Sequence, residues 1–253
     1  MRTLLLSGRE PRVGEHPEPP RYDEAVIGLR LGGVCATDLE LLEGYMGFQG
    51  VLGHEFVGVV EWAPEPGWVG ARVVGEINCP CGDCPTCRAG RPTHCPHRTV
   101  LGIDGRDGAF AERFRLPLAN LHRVPESVSD EAAVFVEPLA AAVEILEQVR
   151  VRPTDTAVVL GAGRLGQLVA RVLALTGARV HAVDLRQDRL DLLPPEIRRG
   201  APGERADVVV ECTGTAGGLE RAAALTRPRG TLVLKTTVAE VVPVPTARWV
   251  IDE

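Results

Sequence analysis

The stretch TAVVLGAGRLGQLVARVLALTGARVHAVD, residues 156–184, constrains the fold more than any other part of the chain. Its pattern predicts a buried strand over residues 157–160, followed by a glycine-rich turn. A helix with apolar residues at helical spacing then covers residues 165–176, and a second strand covers residues 179–183. Strand-like runs follow at residues 206–215 and 227–238. Strands that alternate with helices pack into a parallel sheet, so this half of the chain is predicted to be a doubly wound α/β domain.

The glycine-rich turn has the spacing G-x-G-x-x-G, and its residues are Gly161, Gly163, Arg164, Leu165 and Gly166. Between a strand and a helix, the three glycines permit a tight turn, close approach to a pyrophosphate and close helix-to-strand packing. The helix N-terminus adds oriented N–H groups for the phosphates. Asp184 ends the next strand, 23 residues after Gly161, where an acid holds a ribose 2'-hydroxyl. The stretch therefore predicts a dinucleotide-binding site.

The residues around Asp184 bear on which dinucleotide binds. The carboxylate favours NAD over NADP because it repels a 2'-phosphate. Arg186 and Arg189 lie nearby, so NADP stays open. We include Arg189 and Thr213, which lies in the turn after the strand that begins at residue 206, in the predicted cofactor site. Cys212 is interpreted as a small core residue.

The segment INCPCGDCPTCRAGRPTHC, residues 77–95, holds five of the seven cysteines. Four of them follow the spacing C-x2-C-x2-C-x7-C, and these are Cys81, Cys84, Cys87 and Cys95. Four thiolates on a short loop can surround a zinc ion and leave no open position, which indicates a structural site. Cys79 is interpreted as a bystander, with a role as an alternative ligand left open. Free thiols at this density would be prone to oxidation.

A second group of candidate ligands lies outside this segment. Cys35 follows the strand-like run at residues 25–33, and His54 and Glu55 precede the apolar run FVGVV. Thiolate, imidazole and carboxylate are ligand types that zinc accepts. Glu137 stands in an apolar stretch just before Pro138, where a metal would satisfy a buried carboxylate. A core histidine and a carboxylate at a helix N-terminus are the alternatives for His54 and Glu137.

Composition limits the classes of function. The chain has 253 residues, a length that favours two domains, and 45% of its residues are hydrophobic. The formal net charge of -6 argues against nucleic-acid binding. No apolar run approaches the roughly 20 residues of a membrane span, and the N-terminal apolar run is too short for a signal peptide. We therefore expect a cytoplasmic protein with reduced cysteines and no membrane or nucleic-acid partner.

Taken together, these motifs resemble the zinc-dependent medium-chain alcohol and polyol dehydrogenases, in the branch of sorbitol, threonine and glucose dehydrogenases. The resemblance rests on GVCATD at 33–38, GHE at 53–55, the cysteine segment, EPL at 137–139 and GAGRLG at 161–166. It implies a β-rich GroES-like catalytic domain over residues 1–150 and a Rossmann NAD-binding domain over residues 151–253. It also implies one catalytic and one structural zinc, with the active site in the cleft between the domains.

The resemblance also implies roles for individual residues. Cys35 and His54 would bind the catalytic zinc, and Glu55 and Glu137 would be carboxylates that bind or exchange at the metal. Glu137 replaces a second cysteine, which indicates the polyol, sugar and threonine branch. Thr37 would relay a proton from the substrate, with helix capping as its alternative role. Asp38 would orient His54.

The implied reaction is hydride transfer between a secondary alcohol of a polyol, sugar or amino alcohol and NAD(P). Such an alcohol would be the small-molecule substrate, and Tyr45, Met46 and Phe48 are either pocket or core residues. The chain ends at VPVPTARWVIDE, without the last Rossmann strand and the return to the catalytic domain that the family has. A fragment of a longer chain and a natural end are equally open, and a homo-oligomer is uncertain.

Two other functions remain as alternatives. One is a truncated protein that binds zinc and nucleotide without turnover. The other, a zinc-free quinone reductase, is opposed by the joint presence of Cys35, His54 and Glu137.

Overall fold

The structure is a computed structural model that describes residues 1–235, 242–244 and 246–253, without the side chain of Arg248. The predicted strand at 227–238 therefore has its last three residues outside the described residues. The chain divides into two compact units, Met1–Glu137 and Pro138–Glu253. Among the described residues, none of the helices combines the length and apolarity that crossing a bilayer requires.

The first unit is rich in short strands. Its strands are β1 (Arg2–Ser7), β2 (Glu10–Glu15), β3 (Ala25–Gly33), β4 (Gly50–Val51), β5 (Glu55–Trp62), β6 (Arg72–Gly75), β7 (Asn78–Cys79), β8 (Thr99–Leu101), β9 (Gly105–Arg106), β10 (Arg113–Leu116) and β11 (Leu121–Arg123). Its helices are α1 (Ala36–Leu42), α2 (Pro85–Arg88) and α3 (Asp130–Ala133). Short 3-10 turns lie at Tyr45–Gly47, Pro66–Trp68, Pro92–His94 and Leu118–Asn120.

The main sheet of this unit is antiparallel, with the order β10-β3-β5-β6-β11. Smaller sheets have the orders β2-β1-β4 and β7-β8-β9. Strand β5 is central, and its side chains enter different clusters on its two faces because they alternate along the strand. Phe56 and Val60 pack in the main core, whereas Val57 packs with Val74 and residues of α3. The start of β5 is therefore fixed from both sides.

The second unit contains a parallel sheet. Its elements are α4 (Val136–Gln148, which begins at the division between the units), β12 (Thr156–Leu160), α5 (Arg164–Ala174), β13 (Arg179–Val183), α6 (Gln187–Asp191), β14 (Arg198–Arg199), β15 (Ala206–Glu211), α7 (Ala216–Leu225), β16 (Thr226–Leu234) and α8 (Thr246–Asp252). Within the described residues the strand order is β14-β13-β12-β15-β16, and all pairs are parallel. In chain order this is 3-2-1-4-5, the Rossmann arrangement. The predicted doubly wound parallel sheet is confirmed.

Two details of the second unit concern its bounds. The predicted domain boundary lay after residue 150, but Ala142 and Ile145 of α4 belong to the core of the second unit, and the division falls after Glu137. The assignment of domains as functional units remains a prediction. The segment after Asp184 forms only the five-residue α6 and the two-residue β14, consistent with its proline-rich sequence.

A charged pair ties β9 to the start of β3 in the first unit. The guanidinium of Arg106 donates from both terminal nitrogens to the carboxylate of Glu24 at 2.9 Å, and from Nε to the hydroxyl of Thr99 at 3.0 Å. The side chains of Arg106 and Glu24 are only 20% and 12% exposed. Two parallel charge-assisted hydrogen bonds at low exposure make this pair a stronger link than the surface pairs of the same unit.

We expect Arg106→Met to lower the local stability of β3 and β8 by about 2 kcal/mol. Among the described residues, the Glu24 carboxylate then keeps an ion pair with the more distant Arg115, at 3.6 Å. Hydrogen exchange of the amides of these strands, followed by mass spectrometry, measures the change. Arg113→Met is the matched control, since Arg113 pairs with Glu18 and Glu61 at the surface and its loss should change little. Equal effects of the two variants would contradict this assignment.

Candidate active site

The turn from β3 into α1 positions Cys35. Cys35 has an extended backbone and is the N-cap residue of α1. Asp38, three residues later, accepts a hydrogen bond from the main-chain N–H of Cys35 to Oδ2 at 2.8 Å. This contact satisfies one of the N–H groups that a helix start leaves unpaired and fixes the thiol at the end of the strand.

The pairing of β3 with β5 brings a second segment to the same place. Gly33, near the end of β3, lies opposite Glu55, the first residue of β5. A side chain at Gly33 would place its Cβ 2.3 Å from Oε2 of Glu55, so only glycine leaves room for this carboxylate. His54 and Glu55 are buried, and their ligand atoms lie within 4.8 Å of each other and of the sulfur of Cys35.

Asp38 also faces the imidazole of His54. Oδ1 of Asp38 lies 3.3 Å from Nδ1 of His54, close enough for an ion pair, although neither atom has an aligned hydrogen-bond partner among the described residues. Burial lowers the pKa of His54, but the carboxylate of Asp38 and the thiol of Cys35 outweigh burial and raise this pKa to about 10. The site therefore stabilises positive charge on or near the imidazole.

These residues fit a zinc ion. A thiol, an imidazole and a carboxylate converge, and the carboxylate of Asp38 lies beside Nδ1 of His54, the usual position behind a metal-bound histidine. Thr37 lies at the same helix start, with its hydroxyl 3.6 Å from the sulfur of Cys35. Among the described residues, the group of close ligand atoms comprises Cys35, His54 and Glu55. Glu137, half-buried near the start of α4, is not in this group and stays a predicted ligand.

The four cysteines of the second predicted metal site also converge. The sulfur of Cys84 lies 3.5 Å from that of Cys87 and 3.8 Å from that of Cys95, which is 3.5 Å from the sulfur of Cys81. A tetrahedron with zinc–sulfur bonds of about 2.3 Å has sulfur–sulfur edges of about 3.8 Å. All seven cysteines lie in the described part of the chain, and all are free thiols. The spacing therefore fits a four-sulfur zinc site.

Main-chain N–H groups support thiolates in this group. The N–H of Cys87 lowers the pKa of Cys84 to about 6, and those of Cys81 and His97 lower the pKa of Cys95. The other two cysteines of the group differ: a side-chain hydrogen bond with Asp83 raises the pKa of Cys81 to about 12, and burial raises the pKa of Cys87. The pKa is also raised in two cysteines outside the clusters. Burial raises the pKa of Cys79 to about 11 and that of Cys212 to about 12. Neither belongs to a group of close ligand atoms among the described residues.

The glycine-rich turn of the second unit has little free space. Gly161 has a φ of +96°, in the left-handed region, and a Cβ on Gly166 would lie 1.8 Å from the carbonyl oxygen of Gly161. These values match the tight turn and the close helix-to-strand packing that the motif requires. Gly163 is the N-cap residue of α5, so Arg164 and Leu165 form the first turn of that helix and point their N–H groups toward the turn.

Asp184 is held at the end of β13. Its Oδ2 accepts a hydrogen bond from the N–H of Ala162 at 2.7 Å, and its Oδ1 accepts one from the N–H of Arg186 at 2.8 Å. The guanidinium of Arg189 lies 3.5 Å from Oδ2. Burial raises the pKa of Asp184, but the two N–H groups and Arg189 outweigh burial and lower it. The residue is therefore a charged acid beside the turn.

Another part of the predicted cofactor site is the turn that follows β15. The N–H and hydroxyl of Thr213 donate to Oε1 of the buried Glu211, at 2.7 and 2.5 Å. The turn that holds Thr213 also packs against Gly161, whose Cβ would lie 2.9 Å from the nitrogen of Thr213. The structure thus brings Thr213 next to the glycine-rich turn.

Comparisons with known proteins agree with this geometry. Residues 21–126 match the family model "Alcohol dehydrogenase GroES-like domain". The chain is 31% identical to sorbitol dehydrogenase of Halalkalibacterium halodurans, over 86% of this chain and 71% of that protein. This chain belongs to the zinc-type medium-chain polyol dehydrogenase family. The resemblance predicted from its motifs is confirmed.

Two solved structures share the fold of this chain. Alcohol dehydrogenase TADH from Thermus sp. ATN1 is 30% identical, with a TM-score of 0.88, over 100% of this chain and 82% of that chain. An alcohol dehydrogenase from E. coli CFT073, solved with the cofactor NADH, is 25% identical, with a TM-score of 0.86, over 100% and 81%. Two further curated relatives are matched over only 63% and 47% of their length.

The structure separates the three residues for which pocket and core roles were open. Phe48 is buried with Leu6, Leu41 and Leu52, and Tyr45 packs against the same cluster. Met46 is 56% exposed and has a φ of +57°, which is uncommon for a residue with a side chain. Phe48 is therefore a core residue, and Met46 points away from that core.

Sequence reasoning missed two polar side chains beside the cofactor turn. Glu211 is buried at the end of β15, and Gln167 donates hydrogen bonds from α5. Glu211 ends an apolar run, where a carboxylate needs a partner. Gln167 lies four residues after Gly163 and so faces the same side of the helix. This spacing is the only indication in the sequence that its side chain lies near the glycine-rich turn.

We expect Asp38→Asn to weaken zinc binding at the Cys35 site by about 10- to 100-fold, because the amide oxygen still accepts from Cys35 but carries no charge toward His54. Zinc released per chain to a chromophoric chelator measures the change, and circular dichroism checks the fold. Glu43→Gln removes the same charge from the exposed end of the same helix and should have no effect. Equal zinc release from both variants would refute the role of Asp38.

Proposed function

We propose that this chain is part of a zinc- and NAD-dependent oxidoreductase that acts on a secondary alcohol of a polyol, sugar or amino alcohol. The observation that carries the proposal is the buried group of Cys35, His54 and Glu55 with Asp38 behind it. The same chain contains a dinucleotide-type turn that ends beside Asp184. The name of the sorbitol dehydrogenase relative supports a polyol as the substrate class.

When bound, zinc supplies a Lewis acid that acidifies the alcohol, and the nicotinamide supplies the hydride acceptor. Cys35, His54 and Glu55 hold the metal by their sulfur, nitrogen and oxygen atoms. Asp38 keeps the ring of His54 in place and balances its charge. We include Glu137 as a further carboxylate for the same metal, on the basis of the family resemblance alone.

In this proposal, Thr37 relays the proton of the substrate hydroxyl group. Oxidation of a secondary alcohol to a ketone removes a hydride from carbon and a proton from the hydroxyl group. The hydroxyl of Thr37 lies 3.6 Å from the sulfur of Cys35, so it is at the metal-binding end of α1. Its oxygen accepts the substrate proton while its own proton passes to water, which leaves the threonine unchanged.

The cofactor is proposed to be NAD, with NADP as the weaker ligand. The N–H groups at the start of α5 and the glycine-rich turn hold the pyrophosphate, and Thr213 borders the same turn. Asp184 accepts hydrogen bonds from the ribose and repels a 2'-phosphate. The depressed pKa of Asp184 supports this role, because the carboxylate remains charged at neutral pH.

The second metal is proposed to be a structural zinc held by Cys81, Cys84, Cys87 and Cys95. Four thiolates fill all positions of a tetrahedral ion, so this site contributes folding energy rather than chemistry. We also keep the cytoplasm as the proposed compartment, since free thiols persist where the glutathione pool is reducing.

The test is NADH formation, followed by absorbance, in a screen of polyols, sugar alcohols and amino alcohols. We expect turnover with at least one of them and a loss of about 1000-fold in Cys35→Ala, since a metal ion contributes several kcal/mol to this chemistry. Cys79→Ala is the control, because Cys79 is a buried cysteine outside both clusters. Its turnover should stay within about twofold of the original protein, because this substitution removes a thiol that belongs to neither group of close ligand atoms.

Two results would overturn the proposal. Unchanged turnover in Cys35→Ala would exclude the metal site as the centre of the reaction. Binding of NADH without turnover of any alcohol, even at high protein concentration, would instead support a protein that binds zinc and nucleotide without catalysis.

A further inference from the structure

The side chain of Gln167 on α5 joins two segments of the predicted cofactor site. Its Nε2 donates to the carbonyl oxygen of Ala162 in the glycine-rich turn at 3.1 Å and to the carbonyl oxygen of Arg189 in α6 at 2.7 Å. These residues are far apart in sequence, and neither carbonyl belongs to the parallel sheet. One amide group therefore connects the pyrophosphate end of the site to the segment that follows the ribose-binding acid.

The orientation of this amide is fixed by Arg171, one turn further along α5. Nη1 of Arg171 donates to Oε1 of Gln167 at 2.7 Å, and Nη2 donates to the carbonyl oxygen of Leu192 at 2.9 Å. A guanidinium can only donate, so it must face the amide oxygen, and the NH2 group must face the two carbonyls. The glutamine is thus fully paired in a single orientation.

Together with Asp184, these contacts close a ring. The N–H of Ala162 donates to Asp184, the guanidinium of Arg189 lies 3.5 Å from the same carboxylate, and Gln167 holds the carbonyls of Ala162 and Arg189. A Cβ on Gly163 would lie 4.0 Å from Nη1 of Arg189, so this guanidinium is also close to the glycine-rich turn. The position of Arg189 relative to Asp184 therefore depends on where Gln167 holds the backbone of α6.

We propose that Gln167 is a positioning residue for cofactor selectivity, which acts by keeping Arg189 paired with Asp184. In this arrangement the guanidinium of Arg189 is engaged by the carboxylate and is less available to a 2'-phosphate. Loss of the amide removes the donor to the carbonyl of Arg189, while Leu190 and Leu193 stay in the core. The guanidinium of Arg189 then moves away from Asp184 toward a phosphate on the ribose. This inference rests on the proposed function, since it presupposes that the turn binds NAD or NADP.

The test compares dissociation constants of NADH and NADPH, measured by calorimetry, in the original protein and in Gln167→Met. Methionine has a similar length and helix propensity but no donor. The original protein should bind NADH more tightly. In Gln167→Met, the ratio of the NADPH constant to the NADH constant should fall at least about fivefold, within the range of coupling between contacting residues.

Two further variants separate positioning from a general loss of structure. Arg171→Met leaves the amide and both carbonyls in place and should change the ratio less than Gln167→Met does. In an Arg189→Met background, Gln167→Met should leave the ratio unchanged, because the residue through which it acts is absent. A merely structural role would weaken both cofactors alike in every background.

Hydrogen exchange provides a readout that does not depend on cofactor binding. The amides of residues 187–193 should exchange faster in Gln167→Met, whereas those of β12 and β13 should not change. If the original protein binds NADH but the ratio of dissociation constants is unchanged in Gln167→Met, the inference about Gln167 is overturned and the proposed function is not. Absence of binding of either cofactor to the original protein would overturn the proposed function as well.

Discussion

The buried carboxylate of Asp38 is the contact on which the candidate site depends. One oxygen accepts the N–H of Cys35 and fixes the start of α1, and the other faces Nδ1 of His54 at the start of β5. Two separate segments are thereby held at one point. The carboxylate of Asp38 and the thiol of Cys35 favour positive charge on this imidazole, as the raised pKa of His54 indicates. Burying these groups is costly unless a cation joins them.

Close backbone approach shapes the candidate metal site and the glycine-rich turn in the same way. In the first unit, the glycine opposite Glu55 leaves space for a carboxylate that any other residue would displace. In the second unit, Gly166 lets α5 approach the carbonyl of Gly161. In each case the absence of a side chain allows a functional group, or the end of a helix, to reach a position beside the neighbouring strand.

The sequence predicted the parts of this structure that local spacing determines. The G-x-G-x-x-G turn and its strands predicted the parallel sheet, since each glycine meets a requirement of the motif itself. The cysteine spacing predicted the convergence of four sulfurs because all four lie on one short loop. Cys35 and His54 are separated by α1, a 3-10 turn and β4. Their residue types and the family resemblance indicated a shared metal, but only the pairing of β3 with β5 brings the two segments together.

Features that depend on tertiary packing were harder to predict from the sequence. The amide of Gln167 has no motif, and its importance lies in two carbonyls that only the fold brings together. The packing of α4 with the second unit could not be read from its amphipathic pattern, because that pattern does not state which core the apolar face joins. The sequence left both a pocket role and a core role open for Phe48. In the structure it packs in a core that β1 and α1 complete.

The most direct test of two separate metal sites is zinc per chain, determined by elemental analysis of protein purified without chelator. We expect two equivalents in the original protein and one in Cys35→Ala, because the four-cysteine site is independent of Cys35. One equivalent in the original protein that persists in Cys35→Ala would contradict a metal at Cys35, His54 and Glu55, and would leave only the structural site.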